Sequence, residues 1–276
     1  MGMISKKASG WIELPCPFCK KDSKKVLQIT PDMTFAHCFR CQWRGTVSEV
    51  CDAYNMSKEQ LFGSVCAVAQ LPPAEFSGDI PGVSFLRSKT AISYIRSRNA
   101  FSYATLNKWK YNKLDITNST VVIPLVQDYK IKGYLERAIS ASAFMRYRFS
   151  SGFSSSTCFF NWDLTRWQQS VIISEGVFDA ISLHNALPFV GALGNFGKHI
   201  SEEKINMLYQ RHVKEITICL DSEKKDKDIR KAINEIISKL MFIPCSLSVM
   251  RLQEGDPNEV EYSVLQQTYF SREVIH

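Results

Sequence analysis

The sequence predicts an α/β chain in three parts: an N-terminal β ribbon, a mixed α+β middle that is strongly basic, and a largely parallel C-terminal sheet with flanking helices. Three observations predict it. Two Cys-x2-Cys pairs, "CPFC" and "CFRC", stand eighteen residues apart near the N-terminus. Between residues 80 and 170, Lys and Arg outnumber Asp and Glu by 13 to 4. From residue 171 onward, short apolar runs alternate with helical patterns, the rhythm of βαβ units.

The ribbon comes first. Cys16, Cys19, Cys38 and Cys41 have the spacing of a four-thiolate zinc site, each pair presenting two sulfurs from one tight turn. The segment between them, "KKDSKKVLQITPDMTFAH", alternates enough for a short hairpin. A unit this small has little core, so one structural zinc per chain supplies much of its folding energy. His37 could replace one ligand, but four sulfurs already suffice. Cys51, Cys66, Cys158, Cys219 and Cys245 lack partner spacing and read as small buried hydrophobes. Arg40, Trp43, Arg44 and the lysines from Lys20 to Lys25 mix cations with an aromatic. That mixture suits single-stranded nucleic acid, or equally a solvated basic face with Trp43 in the ribbon's own core.

"VSEVCDAYNMSKEQLFG" reads as one or two short helices that close a domain of residues 1–66. "AVAQLPPAEFSGDIPG" has neither helical nor strand period, and residues 67–82 read as a linker. No apolar run approaches the ~20 residues that a bilayer span needs. The N-terminus "MGMISKKASG" has no apolar signal core, and Lys6 stands where a myristoylation signal wants Ser or Thr. The expectation is a cytoplasmic protein with no membrane partner, where thiols stay reduced.

Residues 83–170 are the basic part. From Thr90, "TAISYIRSRNAFSYATLNKW" sets apolar residues at helical spacing against Arg and Lys. "STVVIPLVQ" and "IKGYLERAIS", joined by "DYK", read as a hairpin. "FMRYRFSSGFSSST" then carries Arg146, Tyr147 and Arg148 in a Ser/Gly-rich loop, with Arg137 on the preceding strand facing the same side. Arginines grouped in this way suit triphosphates or template phosphates.

Residues 171–276 hold 15 Asp+Glu against 12 Lys+Arg. Function in a parallel sheet sits beyond the carboxyl ends of its strands. Glu175 follows "VIIS", Asp221 follows "EITICL", and Asp256 lies in "EGDPNE" after the last run. Gly176 permits a sharp strand-to-helix turn, and Asp179 falls one helical turn from Glu175. Carboxylates crowded on one rim repel unless a divalent cation sits among them, and hard oxygen ligands favour magnesium or manganese. "GALGNFGKHIS" resembles a phosphate-binding P-loop, but Ala192 and His199 stand where that loop needs Gly and Ser or Thr.

In this order, the four-cysteine ribbon, linker, basic region and carboxylate-bearing α/β module resemble the bacterial-type DNA primases, including those of phages. The last module is similar to TOPRIM, shared with type IA and II topoisomerases and some nucleases. "CPFC…HCFRCQWRG" resembles the primase zinc-binding module. "YIRSRNAFSYATLNKW" resembles a helix opening the polymerase domain, and "VIPLVQDYKIKGYLERA…MRYRFSSG" the basic motif that contacts primer–template and incoming nucleotide. "EGVFDA" resembles the TOPRIM glutamate motif and "GDPNE" the final acidic motif. The resemblance implies a TOPRIM catalytic subdomain over residues 171–276. It also implies metals held by Glu175, Asp221, Glu223 and Asp256, with Asp179 beside them, and phosphates held by Arg137, Arg146 and Arg148 next to Tyr147. The expected partners are single-stranded DNA, ribonucleoside triphosphates, the RNA primer and a separate replicative helicase.

The chain departs from the family at the second acidic motif, usually Asp-x-Asp followed by Ala-Gly. In "LDSEKKDKDIRKAI", anchoring on the strand pairs Asp221 with Glu223, whereas anchoring on the following helix makes Asp226 the second acid. The strand end is the more rigid anchor and favours Glu223. Two rival functions share these residues: a TOPRIM nuclease, and a non-catalytic zinc-ribbon DNA-binding replication protein. The basic motif argues against the first and the retained acids against the second.

Overall fold

The computed structural model describes residues 4–7, 11–19, 25–30, 33, 35–62, 76, 78–81, 83–84, 89–99, 113–115, 120–140, 143, 145–222, 228–241 and 243–275. Each part of the chain builds one five-stranded sheet. In the ribbon, β1 (Ser5–Lys6), β2 (Ile12–Pro15), β3 (Lys25–Ile29), β4 (Phe35–Cys38) and β5 (Arg44–Thr46) pair antiparallel in sequence order. Helix α1 (Val47–Tyr54) starts on a capping box. The Thr46 hydroxyl accepts from the Glu49 N–H, and the Glu49 carboxylate accepts from the Thr46 N–H at 2.6 Å. With α2 (Lys58–Phe62) it covers a small core of Ile12, Leu14, Leu27, Ile29, Val47, Val50 and Phe62. Of the expected linker, residues 67–75, 77 and 82 lie outside the described residues, as does Cys66; Phe76 packs edge-on against Tyr134.

The second sheet takes the order β10-β9-β8-β7-β6, all antiparallel. Its strands are β6 (Val83–Ser84), β7 (Lys113–Asp115), β8 (Thr120–Gln127), β9 (Lys130–Ala138) and β10 (Tyr147–Phe149). The predicted hairpin is β8–β9. The predicted loop around Arg146–Arg148 is corrected: Tyr147–Phe149 is a strand paired to β9, with Tyr147 opposite Arg137. Helix α3 (Lys89–Ser97) buries Ala91 and Ile95. Of the rest of that predicted helix, residues 100–109 lie outside the described residues.

The third sheet is the predicted parallel one. Strands β11 (Ser170–Ser174), β12 (Gly191–Gly194), β13 (Glu215–Cys219) and β14 (Ser246–Val249) run parallel, and β15 (Glu273–Val274) adds an antiparallel edge. The order β12-β11-β13-β14-β15 places β11 between strands reached in opposite directions, so the sheet has a topological switch point at β11. The connecting helices are α4 (Val177–Ala186), α5 (Glu202–Gln210) and α6 (Ile229–Leu240), followed by α7 (Tyr262–Phe270).

Both faces of this sheet are covered, which is why its strands read as apolar runs rather than alternations. Ile172 faces α4, α7 and the inner side of the second sheet (Val121, Ile123, Leu135) in one continuous core. Val171 and Ile173 face α5 and α6. That second core also contains Trp11 of the ribbon, only 1% exposed, whose Nε1 donates to the Glu202 carbonyl at 3.2 Å. Lys7 pairs with Glu202 and with Glu13, and Phe35 meets Tyr209 edge-on at 6.1 Å. The ribbon is therefore seated on α5. Among the described residues no helix is long and apolar enough to cross a membrane.

Candidate active site

Where β11 ends at the switch point, a cavity of about 370 Å³ opens between the second and third sheets. Its floor is acidic. Asp179, Asp221 and Asp256 each bring a carboxylate oxygen within 4.8 Å of the others, a spacing that a cation can bridge. Asp221 follows β13, Asp256 follows β14, and Asp179 comes from the first turn of α4.

The first turn of α4 explains how Asp179 arrives there. Its Oδ2 accepts from the Gly176 N–H at 2.9 Å, closing the helix N-terminus. A Cβ on residue 176 would lie 2.8 Å from that oxygen, so the glycine is required by close approach; its φ of −117° is ordinary. Asp179 Oδ1 accepts from the Asn258 amide, at 2.5 Å. Asn258 in turn accepts from Arg98 Nη1 at 3.2 Å, and the same guanidinium pairs with Glu259. One residue at the end of α3 thus ties the final acidic motif to the helix that carries Asp179.

Burial pushes the Asp179 carboxyl above its ordinary range. Burial also pushes Asp221 up to about 9, reinforced by a hydrogen bond with Asp256 and by the charges of Asp179, Asp256 and Glu175. Ionised together, three carboxylates this close repel one another, and a cation bound among them is one way to relieve that repulsion.

Above the acids stands a cationic and aromatic wall. Arg137, Arg146 and Tyr147 line the cavity with Arg98. Arg137 donates from Nε to the Tyr94 hydroxyl at 2.6 Å, and its guanidinium lies 4.0 Å from the Tyr147 ring. Arg148 does not join them. Strand alternation turns it to the other side of the sheet, where it pairs with Glu136. Phe196 meets Phe149 and Phe153 edge-on at 5.5 and 5.6 Å and forms the apolar end. Its loop is held from behind by buried Lys204, whose Nζ donates to the Asn195 side chain at 2.8 Å and to its carbonyl. Burial pushes that ammonium down to about 7. Asn195 in turn donates to the carbonyls of Gly197 and His199.

Glu175 lines the same cavity, but the group that converges is Asp179, Asp221 and Asp256. Glu223 and Asp226 both lie outside the described residues. Arg98, Asn258, Tyr94 and Lys204 were not singled out by the sequence. Only Asn258 carried a signal, two residues past Asp256 in the acidic motif.

In the ribbon, Cys16, Cys19, Cys38 and Cys41 converge, with Cys16 and Cys41 sulfurs 3.8 Å apart and Cys19 and Cys38 sulfurs 4.0 Å apart. A tetrahedron with metal–sulfur bonds of about 2.3 Å has edges of about 3.8 Å, so the four thiols fit such an ion. Trp43 stacks on Phe18 at 3.8 Å with Arg44 beside it in β5, while Arg40 is exposed. His37 is buried against Phe39, outside the sulfur group. Cys51, Cys158 and Cys219 are buried and Cys245 is half-buried.

Residues 172–261 match a protein-family model described as Toprim-like. No curated protein matches the chain in sequence. Solved structures do share its fold. The zinc binding and RNA polymerase domains of the Aquifex aeolicus primase are 18% identical with a TM-score of 0.54, over 99% of this chain and 81% of that one. A DnaG primase catalytic domain bound to ssDNA is 13% identical with a TM-score of 0.55, over 68% and 73% of the two chains. The E. coli primase catalytic core is 13% identical with a TM-score of 0.52, over 69% and 76%. At these identities the likeness establishes a fold: a Toprim-like module with a four-cysteine ribbon, in the architecture of bacterial DnaG primases.

Proposed function

We propose that the chain is a DNA primase, a nucleotidyltransferase that joins ribonucleoside triphosphates into short RNA primers on a single-stranded DNA template. The observation that carries this reading is the convergence of Asp179, Asp221 and Asp256 under Arg137 and Arg146 in one cavity. Acids beneath cations are what transfer between a hydroxyl and a triphosphate requires: a seat for divalent cations, and positive charge for the departing phosphates. Magnesium or manganese held by these acids, with Glu175 and the second acid at Glu223, would stabilise the attacking and leaving oxygens.

The protein's own side chains do the rest. Asn258 and the Gly176 N–H fix the Asp179 carboxylate in place beside Asp221 and Asp256. Tyr94 and Tyr147 hold the Arg137 guanidinium at the wall, where Arg146 joins it against the triphosphate. The Phe149, Phe153 and Phe196 cluster offers an apolar end to the nucleobase. In this reading the ribbon, folded around zinc, positions the template start through Arg40, Trp43 and Arg44, and a replicative helicase acts as a separate chain. The test is synthesis from labelled ribonucleotides on a library of short single-stranded templates, with magnesium or manganese. Glu175→Gln and Asp221→Asn should each abolish product while leaving the fold intact. Wild-type synthesis by either variant would overturn the assignment.

A further inference from the structure

At the end of the third sheet opposite the carboxylates, two large rings stand out of the surface. Trp167 is 85% exposed and Tyr129 is 71% exposed. Trp167 lies in the turn that leads into β11, so the length of that strand, about 17 Å at 3.3 Å per residue, separates it from Glu175. Tyr129 lies at the tip of the β8–β9 hairpin, the length of β9 away from Arg137. Between the rings sits Arg166. Its guanidinium is 5.2 Å from the Tyr129 ring and 4.8 Å from the Trp167 ring, and its Nη1 donates to the Tyr129 hydroxyl.

Single exposed rings are common and need no explanation. The backbone beneath these does. Asp128 and Tyr129 both have left-handed φ, 55° and 59°, in a two-residue turn of the kind that favours Asn-Gly. A bulky residue held there stores strain, which persists only where the surroundings impose it. Here they do: the Asp163 carboxylate accepts from the N–H groups of Asp128 and Tyr129, both at 2.8 Å. Asp163 opens the same short segment that carries Arg166 and Trp167. That segment is braced from below by Arg211, which donates to Thr165 Oγ1 at 3.1 Å and to the Gln168 carbonyl at 3.0 Å. Two segments distant in sequence are thus locked together so that their rings face outward. A cleft of about 700 Å³ continues from Tyr129, lined by Lys130, Lys132, Phe153 and Ser154.

Exposed flat rings interleaved with cations fit one ligand chemistry: bases that stack and phosphates that pair, on an unpaired strand whose base faces are accessible. Of the two acids in the patch, Asp163 is committed to the backbone N–H groups, which leaves Arg166, Lys130 and Lys132 facing Asp128. We propose that Tyr129, Arg166 and Trp167 form a second binding site for single-stranded nucleic acid, separate from the catalytic cavity. Calling that strand the template rests on the primase reading; the binding does not.

The experiment uses the full chain and a fluorescein-labelled single-stranded oligonucleotide of about 20 nucleotides, long enough to span a groove site, with anisotropy read across a salt series. Trp167→Ala should weaken binding by about ten-fold, the worth of one base stacked on a ring. Arg166→Ala should also lower the steepness of the salt dependence by about one phosphate contact, whereas Trp167→Ala should not. Tyr129→Gly relaxes the left-handed turn and keeps it formed, so weakened binding there reports the lost ring. A halogenated-uracil oligonucleotide should photo-crosslink to the peptides carrying Tyr129 or Trp167. Because no step requires catalysis, these outcomes support the site even if the chain makes no RNA. If all three variants keep wild-type melting and bind within about two-fold of wild type, too little for a lost stack, the site is overturned and the rings are left to a protein partner.

Discussion

Replacing Asp221 with Asn should make the metal-free protein more stable while destroying its response to metal. With its carboxyl pushed up to about 9 against an ordinary 3.8, folded Asp221 holds a proton over a pH range where the unfolded chain has lost it. For an acid raised on folding, stability falls as pH rises between those two values, and nothing is lost below the lower one. At pH 7 the interval above 3.8 corresponds to at most about 4 kcal/mol. Asp221 is only partly buried, so solvent screening brings this to about 2 kcal/mol. Asn has the shape of the protonated acid and does not incur this cost. In EDTA at pH 7 the variant should therefore melt about 4–8 °C higher, at roughly 2–4 °C per kcal/mol for a chain of this size. The gap should widen toward pH 9 and vanish near pH 4. Magnesium at about 100 times its Kd should add about 2.7 kcal/mol to the wild type and little to the variant. Thermal melts at three pH values, with EDTA or magnesium, measure all of this. An Asp221→Asn protein that melts at or below the wild type in EDTA at pH 8, or gains as much from magnesium, would refute the reasoning.

The remaining predictions address the ribbon, the second acid and the loop behind the cavity. Cys38→Ser should release about one zinc per chain, since three thiolates and an alcohol bind it poorly; metal analysis by mass spectrometry reads this directly, and initiation should fall more than extension of a supplied primer. Trp11→Ala should cost about 3–5 kcal/mol of ribbon docking, seen as faster proteolysis of residues 1–62 with the rest of the chain intact. Glu223→Gln should reduce synthesis more than Asp226→Asn, and the opposite order would make Asp226 the second acid. Lys204→Met removes the donor that holds Asn195 and should raise the KM for nucleotide more than it lowers kcat, because Phe196 stands with Phe149 and Phe153 at the apolar end of the cavity.

The parallel sheet was readable because its four parallel strands are short apolar runs buried on both faces. That pattern gave the strand-to-helix turn at Gly176 and the positions of Asp221 and Asp256. The geometry among the acids was not readable. Glu175 stands at the strand end, whereas Asp179, one helical turn on, is drawn to Asp221 and Asp256 by Asn258, which lies 79 positions away. Arg148 was misread for a local reason. "RYRFSSG" looks like a loop by composition, but three of its residues pair with β9, and in a strand neighbours point to opposite faces. Arg146 and Tyr147 reach the cavity, and Arg148 reaches Glu136 instead.

Trp11 shows most clearly what a one-dimensional pattern lacks. It sits in "ASGWIEL", where nothing periodic surrounds it, and the Pro- and Gly-rich stretch after residue 66 suggests a ribbon tethered without contact. Yet its ring is buried among α5, α6 and Phe159, its N–H is satisfied by Glu202, and Lys7 clamps the same residue. A ring of this size buries about 150–250 Å², enough at about 25 cal/mol per Å² to hold a small domain against the entropy of its tether. The ion pair of Lys7 with Glu202 is partly exposed and adds less, chiefly orientation. The cysteine cluster is therefore presented on the α5–α6 face of the sheet, whereas the second sheet, with its arginine wall, packs on the opposite face. For the ribbon to bring a template start to the acids at the end of β11, the strand must pass around the rim of the third sheet, or Trp11 must leave its seat. Trp11→Ala separates these two routes: initiation should fall if the strand passes around a docked ribbon, and should rise if undocking is the slow step.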